Sequence, residues 1–124
     1  MTTLKKIEAI VLEEQVDAIK QSLEAAGYVG MTVFPVKGRG SEGGIDLRWR
    51  ATTYTVDFLP KVLVMIVVNE DVLNHVISLI VRSCQAPEFD PDPDHRSEHA
   101  QSWGKIFVSP VEQAISIRTA LQRR

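Results

Sequence analysis

Val62-Leu63-Val64-Met65-Ile66-Val67-Val68, followed at once by Asn69-Glu70-Asp71, decides how this chain is read. The apolar residues are rich in β-branched side chains, which suit a buried strand, and they extend a run that begins with Thr55-Val56-Asp57-Phe58-Leu59-Pro60-Lys61. Asn69 is a good helix N-cap, and Glu70 and Asp71 bring negative charge to a first helical turn. Val72, Val76, Leu79 and Ile80 then recur as the apolar stripe of an amphipathic helix. A long strand therefore runs straight into a helix that packs back on it.

The same order stands earlier in the chain. Lys6-Ile7-Glu8-Ala9-Ile10-Val11-Leu12 mixes alternation with an apolar end, as in a strand buried on one face and partly on the other. Glu13 and Glu14 open a helix whose stripe is Val16, Ile19, Leu23 and Ala26, and Gly27 stands where a left-handed C-terminal cap belongs. Met31-Thr32-Val33-Phe34-Pro35-Val36-Lys37 reads as a second strand, with Pro35 arguing for an edge or a bulge because it has no amide to donate. Gly38, Gly40, Gly43 and Gly44 then open a flexible loop expected to last to about Thr53, far longer than the two to five residues that usually join paired strands. After the second helix, Pro87, Pro91 and Pro93 with Asp90, Asp92 and Asp94 predict another long loop. Lys105-Ile106-Phe107-Val108 returns to strand character, and residues 111–119 are expected to add a short turn and a further strand. The order strand, helix, strand, strand, helix, strand predicts an α+β, ferredoxin-like βαββαβ sandwich, an antiparallel sheet with two helices on one face. The other face of that sheet would be covered by self-association with closed symmetry.

Composition bounds the rest. With 124 residues the chain suits one domain, spanning 1–124, and its 44% apolar and 24% charged residues are those of a soluble globular protein. A formal charge of −2 gives no field for nucleic acid, although Arg123-Arg124 is locally basic. The apolar run from Val62 to Val68 is far short of the roughly 20 residues a membrane span needs, and Lys5-Lys6 lead into no signal-peptide pattern, so the expected location is the cytoplasm. Cys84 is the one cysteine, so no internal disulfide or cysteine cluster is expected.

Candidate chemistry is sparse. Gly38-Arg39-Gly40-Ser41-Glu42-Gly43-Gly44 follows a strand but lacks the Gly-Lys-Ser/Thr run of a phosphate loop, and by itself it reads as a mobile hairpin loop. Gly104-Lys105 ahead of a strand and Arg118 near the C-terminus strengthen a phosphate reading, because backbone amides and fixed cations are what a di- or triphosphate needs. His95 and His99 beside Asp92, Asp94 and Glu98 supply no closed ligand set and read as solvated loop charges, so no metal site is expected. His75 reads as a boundary residue, and no serine, threonine or cysteine has an identifiable base, so no enzyme is expected.

The assembled segments resemble the PII (GlnB-like) signal-transduction proteins. The resemblance rests on Lys5-Lys6-Ile7-Glu8-Ala9-Ile10, Gly30-Met31-Thr32-Val33, Val36-Lys37-Gly38, Tyr54-Thr55-Val56-Asp57-Phe58-Leu59-Pro60-Lys61, Gly104-Lys105-Ile106-Phe107-Val108-Ser109-Pro110-Val111-Glu112 and Ile117-Arg118-Thr119, in family order over nearly the whole chain. It implies a homotrimer with nucleotide sites in the clefts between subunits. It assigns Gly38 and Gly40 to the phosphates, Thr32 and Val67 to the adenine, Lys61 to the loop base and Arg39 to the nucleotide site, with Gly104, Lys105 and Arg118 coming from the adjacent subunit. Residues 39–53 take the place of the T-loop that engages target proteins, and residues 85–103 that of the B-loop. Tyr54 aligns with a tyrosine that some members carry uridylylated.

Departures from the family narrow the ligand. Ser41 and Glu42 replace an arginine and the glutamine that helps hold magnesium for 2-oxoglutarate, and Ser116 replaces an arginine near the phosphates. With fewer cations, ADP or AMP is expected ahead of ATP. These changes resemble the carboxysome-associated, bicarbonate-responsive subgroup, and a nest of amides from Ser41, Gly43 and Gly44 near Lys61 or Arg118 would suit that anion. The expectation is a regulator that controls a partner, whether transporter, enzyme or carboxysome-related protein. The alternatives are a nitrogen-regulatory PII sensing ATP and 2-oxoglutarate, and a ferredoxin-like metal-binding trimer.

Overall fold

The computed structural model describes residues 3–39, 45–56, 58–84 and 104–122. Four strands form the main sheet: β1 (Leu4–Val11), β2 (Thr32–Gly38), β5 (Leu59–Asn69) and β6 (Lys105–Val111), in the spatial order β2-β5-β1-β6 with every pairing antiparallel. Helices α1 (Val16–Ala25) and α2 (Leu73–Ser83) follow β1 and β5, each through a 3-10 turn. A separate two-stranded ribbon is made by β3 (Ile45–Trp49) and β4 (Thr52–Val56), and a short helix α3 (Ile117–Gln122) follows β6. This is the ferredoxin-like α+β plan expected from the sequence.

Alternation decides which face is buried. Ile7, Ala9 and Val11 of β1 and Val64, Ile66 and Val68 of β5 point at the helices, where they meet Ile19 and Leu23 of α1 and Val76 and Ile80 of α2. Both helices thus lie on one side, and the alternate residues Lys6, Glu8, Ile10, Leu63, Met65 and Val67 line the other. β2 is an edge strand, the position that Pro35 requires.

Local signals account for the helix ends. Gly27 has φ +91; its amide donates to the Glu24 carbonyl at 3.0 Å and that of Tyr28 to the Leu23 carbonyl at 2.8 Å, the pair of bonds of a Schellman stop. At the other end, the Leu12 amide donates to Gln15 Oε1 at 2.8 Å, while Gln15 Nε2 donates to the Cys84 carbonyl at 3.4 Å, so one side-chain amide ties the start of α1 to the end of α2. Asn69 is extended at the N-cap position, but its side chain makes no capping bond; the Glu70 amide donates to the Thr3 carbonyl at 2.8 Å instead. His75 is exposed on α2 and its Nδ1 lies 3.1 Å from the Tyr28 hydroxyl.

Four sequence expectations need correction. The stretch 39–53 is not loop throughout, because Ile45–Trp49 pairs with Thr52–Val56 about a two-residue turn in which Arg50 and Ala51 have φ +50 and +61. Such a turn normally announces itself with Asn-Gly or Asp-Gly, and neither residue here carries that signal. The run 55–68 is not one strand: Thr52–Val56 pairs with β3, whereas β5 begins at Leu59. Past Val111 the chain forms helix α3, not a strand, and Ala26 is exposed instead of joining the buried stripe.

Cys84 caps α2 with its side chain buried, and that burial raises its thiol pKa above the ordinary value of 9.0. The folded chain therefore holds this proton to higher pH than the unfolded chain. The resulting stability is intact below pH 9.0 and is lost as pH rises through the folded value. Urea unfolding of wild type and Cys84→Ala between pH 7 and 10.5 is expected to show the wild type losing stability relative to the variant above about pH 9; parallel profiles would contradict this.

Candidate functional site

In an antiparallel sheet of this order, the end of β2, the start of β5, the end of β1 and the start of β6 all meet at one edge. A cavity of about 210 Å³ opens there, lined by Ile10, Val11, Gly38, Arg39, Lys61, Gly104, Lys105 and Phe107. Register explains the gathering. Ile10 is opposite Lys105 across β1 and β6, Val36 is opposite Lys61 across β2 and β5, and Gly38 follows two residues beyond Val36. Three cations, Arg39, Lys61 and Lys105, thus converge from three different strand ends on a rim that includes two glycines.

The two glycines have different reasons. Gly104 has φ +118, and a Cβ there would sit 2.5 Å from the Ile10 carbonyl oxygen, so only a residue without a side chain lets β6 start this close to β1. A Cβ on Gly38 would meet Lys61 Cγ at 3.5 Å, an ordinary contact, so its smallness serves the opening of the cavity more than the backbone. Lys105 Nζ lies 5.8 Å from the centroid of the Phe107 ring, which holds the ammonium beside the cavity wall.

The predicted residues fall into separate groups. Gly38, Arg39, Lys61, Gly104 and Lys105 line this one cavity, and they do so within a single chain, whereas the resemblance drew Gly104 and Lys105 from an adjacent subunit. Thr32 and Val67 sit toward the opposite end of β2 and β5, six residues from Gly38 and Lys61 and hence about 20 Å away along the strands. Arg118 is exposed on α3 and does not line the cavity. Tyr54 lies in β4 opposite Leu47. Gly40, Ser41, Gly43, Gly44 and the segment 85–103 lie outside the described residues.

Sequence reasoning missed Ile10, Val11 and Phe107, the apolar wall. Their alternation in β1 and β6 marked them as sheet residues, and only the register shows that they close this end. On the helix side of the same sheet edge a second hollow of about 470 Å³ is lined by Ile77, Ile80, Val81, Cys84 and Ile106, with Val11, Gly104 and Lys105 forming the wall shared by both. Among the described residues no group of three His, Cys, Asp or Glu side chains is placed to hold a metal, and no helix is long and apolar enough to cross a membrane.

Gly104→Ala is expected to lower the unfolding free energy by roughly 2 kcal/mol or more, because either β6 or the Ile10 carbonyl must move. Gly38→Ala should cost less than about 1 kcal/mol. Thermal unfolding of the two variants side by side checks this, and equal losses would contradict the steric account.

A family model described as "Nitrogen regulatory protein P-II" matches residues 4–120. The nitrogen regulatory protein P-II of Cereibacter sphaeroides is 40% identical over 116 residues, covering 94% of this chain and 93% of the relative. P-II 2 of Methanothermobacter thermautotrophicus is 39% identical over 119 residues, covering 96% and 93%, and P-II of Nostoc punctiforme is 40% identical over 94% and 93%. The chain belongs to the P-II family of signalling regulators.

Proposed function

We propose that the chain is a homotrimeric regulator that binds ADP or AMP with the phosphates in the cavity at the sheet edge and reports the bound state to a partner through residues 39–53. The observation that carries this reading is the convergence of Arg39, Lys61 and Lys105 with Gly38 and Gly104 on one cavity. Phosphate oxygens need fixed cations and a close approach of backbone, and this rim supplies both. Three cations from one chain match a diphosphate better than a triphosphate on charge.

The adenine half of the site calls for a second copy. Thr32 and Val67 are about 20 Å from Gly38 and Lys61 along the strands of one chain, farther than the adenine of an ADP held at Lys61 reaches. A neighbouring copy that presents its Thr32 and Val67 over the cavity completes the site, and it does so in a closed assembly. Ligand binding then stabilises the assembly and the assembly completes the ligand site. Arg118 on the exposed helix α3 approaches the phosphates from that same neighbour.

Bicarbonate is the proposed effector, received by the amides of Ser41, Gly43 and Gly44, and the partner is a transporter, an enzyme or a carboxysome-related protein. The relatives are named as nitrogen regulatory proteins, which gives a second reading, nitrogen regulation, for which the family resemblance implies ATP and 2-oxoglutarate. Against it stand Glu42, a carboxylate where the glutamine that helps hold magnesium is expected, and Ser116 in place of an arginine.

Isothermal titration calorimetry separates these readings. ADP is expected to bind, Lys105→Ala to weaken it by roughly tenfold or more, and bicarbonate to tighten it. Tightening of ATP by 2-oxoglutarate with no response to bicarbonate would favour the nitrogen reading. Binding of transition metals with no binding of nucleotide would overturn both.

A further inference from the structure

The ribbon β3–β4 turns through Arg50 and Ala51, which alone among the described residues other than glycine have positive φ. A two-residue turn between antiparallel strands takes this left-handed backbone because it matches the twist of the strands it joins, and asparagine or glycine normally supplies it. Arg50 and Ala51 each carry a Cβ that crowds the following carbonyl in this conformation, which disfavours it by roughly tenfold per residue. Little in the ribbon offsets that. Five residue pairs join β3 to β4, and a two-stranded hairpin is marginally stable in water. Among the described residues the ribbon shares no ladder with the main sheet and packs broadly on no other element. Its tip, from Arg50 to Thr53, is exposed. The main sheet does not depend on it either: the chain leaves the sheet at Gly38 and rejoins it at Leu59, and these two residues are themselves paired, so β2 and β5 keep their register whether or not the ribbon is formed.

We infer that the Arg50–Ala51 turn sets the ribbon close to balance between a paired and an unpaired state, making it a two-state arm that opens while the sheet and core stay folded. Its use as a switch rests on the proposed reading of residues 39–53 as the reporter of the bound state. Both ends of the arm are tied to the candidate site, because Gly38 and Arg39 on one side and Lys61, two residues past Leu59, on the other line the cavity. Balance is what such a reporter requires. A ligand that favours one state tenfold takes an even population to about ten to one, whereas a ribbon already paired a hundredfold stays paired after the same push toward opening. An Asn-Gly turn would hold the ribbon shut, and Arg-Ala does not. Local rules broken inside an otherwise consistent fold collect at functional or strained sites, and here the break falls on the one element whose opening leaves the main ladders intact.

Amide hydrogen exchange of the full chain, followed residue by residue by NMR, tests this on wild type, Ala51→Gly and the double variant Arg50→Asn/Ala51→Gly. In the free wild type the hydrogen-bonded amides of β3 and β4 are expected to be slowed less than about tenfold relative to an unstructured chain, while those of β1 and β5 open only with the whole fold. Ala51→Gly is expected to raise ribbon protection several-fold and the double variant about tenfold or more, with β1 and β5 unchanged. Wild-type ribbon amides as protected as those of β5, or equal ribbon exchange in all three chains, would overturn the inference. Saturating ADP is expected to change ribbon protection in wild type by about threefold or more. ADP that binds by calorimetry without altering ribbon exchange would overturn the reporter reading, while the comparison of the three free chains decides the turn.

Discussion

A strand hydrogen-bonded along both edges has little freedom to slip, and β1 is in that position, with β5 on one side and β6 on the other. Its contact with the start of β6 is especially tight: the Ile10 carbonyl leaves no room for a Cβ on Gly104. That contact fixes where β6 begins, and with it where Lys105 stands relative to Lys61 and Gly38. A one-residue slip of β6 would turn Lys105 to the helix side, put Ile106 on the open face and remove a cation from the cavity. The core and the candidate site are therefore set by the same register.

The division of labour across the sheet follows from the alternation of one strand. Ile7, Ala9 and Val11 bind the sheet to α1 and α2, while Lys6, Glu8 and Ile10 are left for the other face. Burial on the helix side stabilises the single chain. The open side carries partly exposed apolar surface that a monomer does not cover, and the nucleotide reading independently requires a neighbour to bring Thr32 and Val67 over the cavity. On that reading assembly and ligand binding are linked, since whatever binds the complete site also stabilises the assembly that completes it.

Most of the fold was legible in the sequence because its signals are local. The stripes Val16, Ile19, Leu23 and Val72, Val76, Ile80 have helical period, Gly27 carries the positive φ its position implied, and Pro35 marked an edge strand. The β3–β4 ribbon was not legible, because a two-residue turn built on Arg50 and Ala51 lacks the glycine or asparagine that normally reveals one. The break between Val56 and Leu59 was hidden for a related reason, as β-rich composition does not say which strand a segment pairs with. Of the candidate site, Gly38, Arg39, Lys61, Gly104 and Lys105 were picked out in the sequence, but their meeting in one chain depends on antiparallel order, which only the whole sheet supplies. Gln15 could not be foreseen: its amide joins two segments that are distant in sequence.

The proposed phosphate site at the sheet edge around Gly38 and Lys105 requires completion by the far end of a neighbouring sheet. Amide chemical-shift mapping of the full chain during titration with ADP tests it most directly. The perturbed amides are expected to divide into two sets, Gly38, Arg39, Lys61, Gly104 and Lys105 on one side and Thr32 and Val67 on the other, moving together with one apparent affinity. Shifts confined to α1 and α2, or to the first set with Thr32 and Val67 silent at saturation, would contradict it.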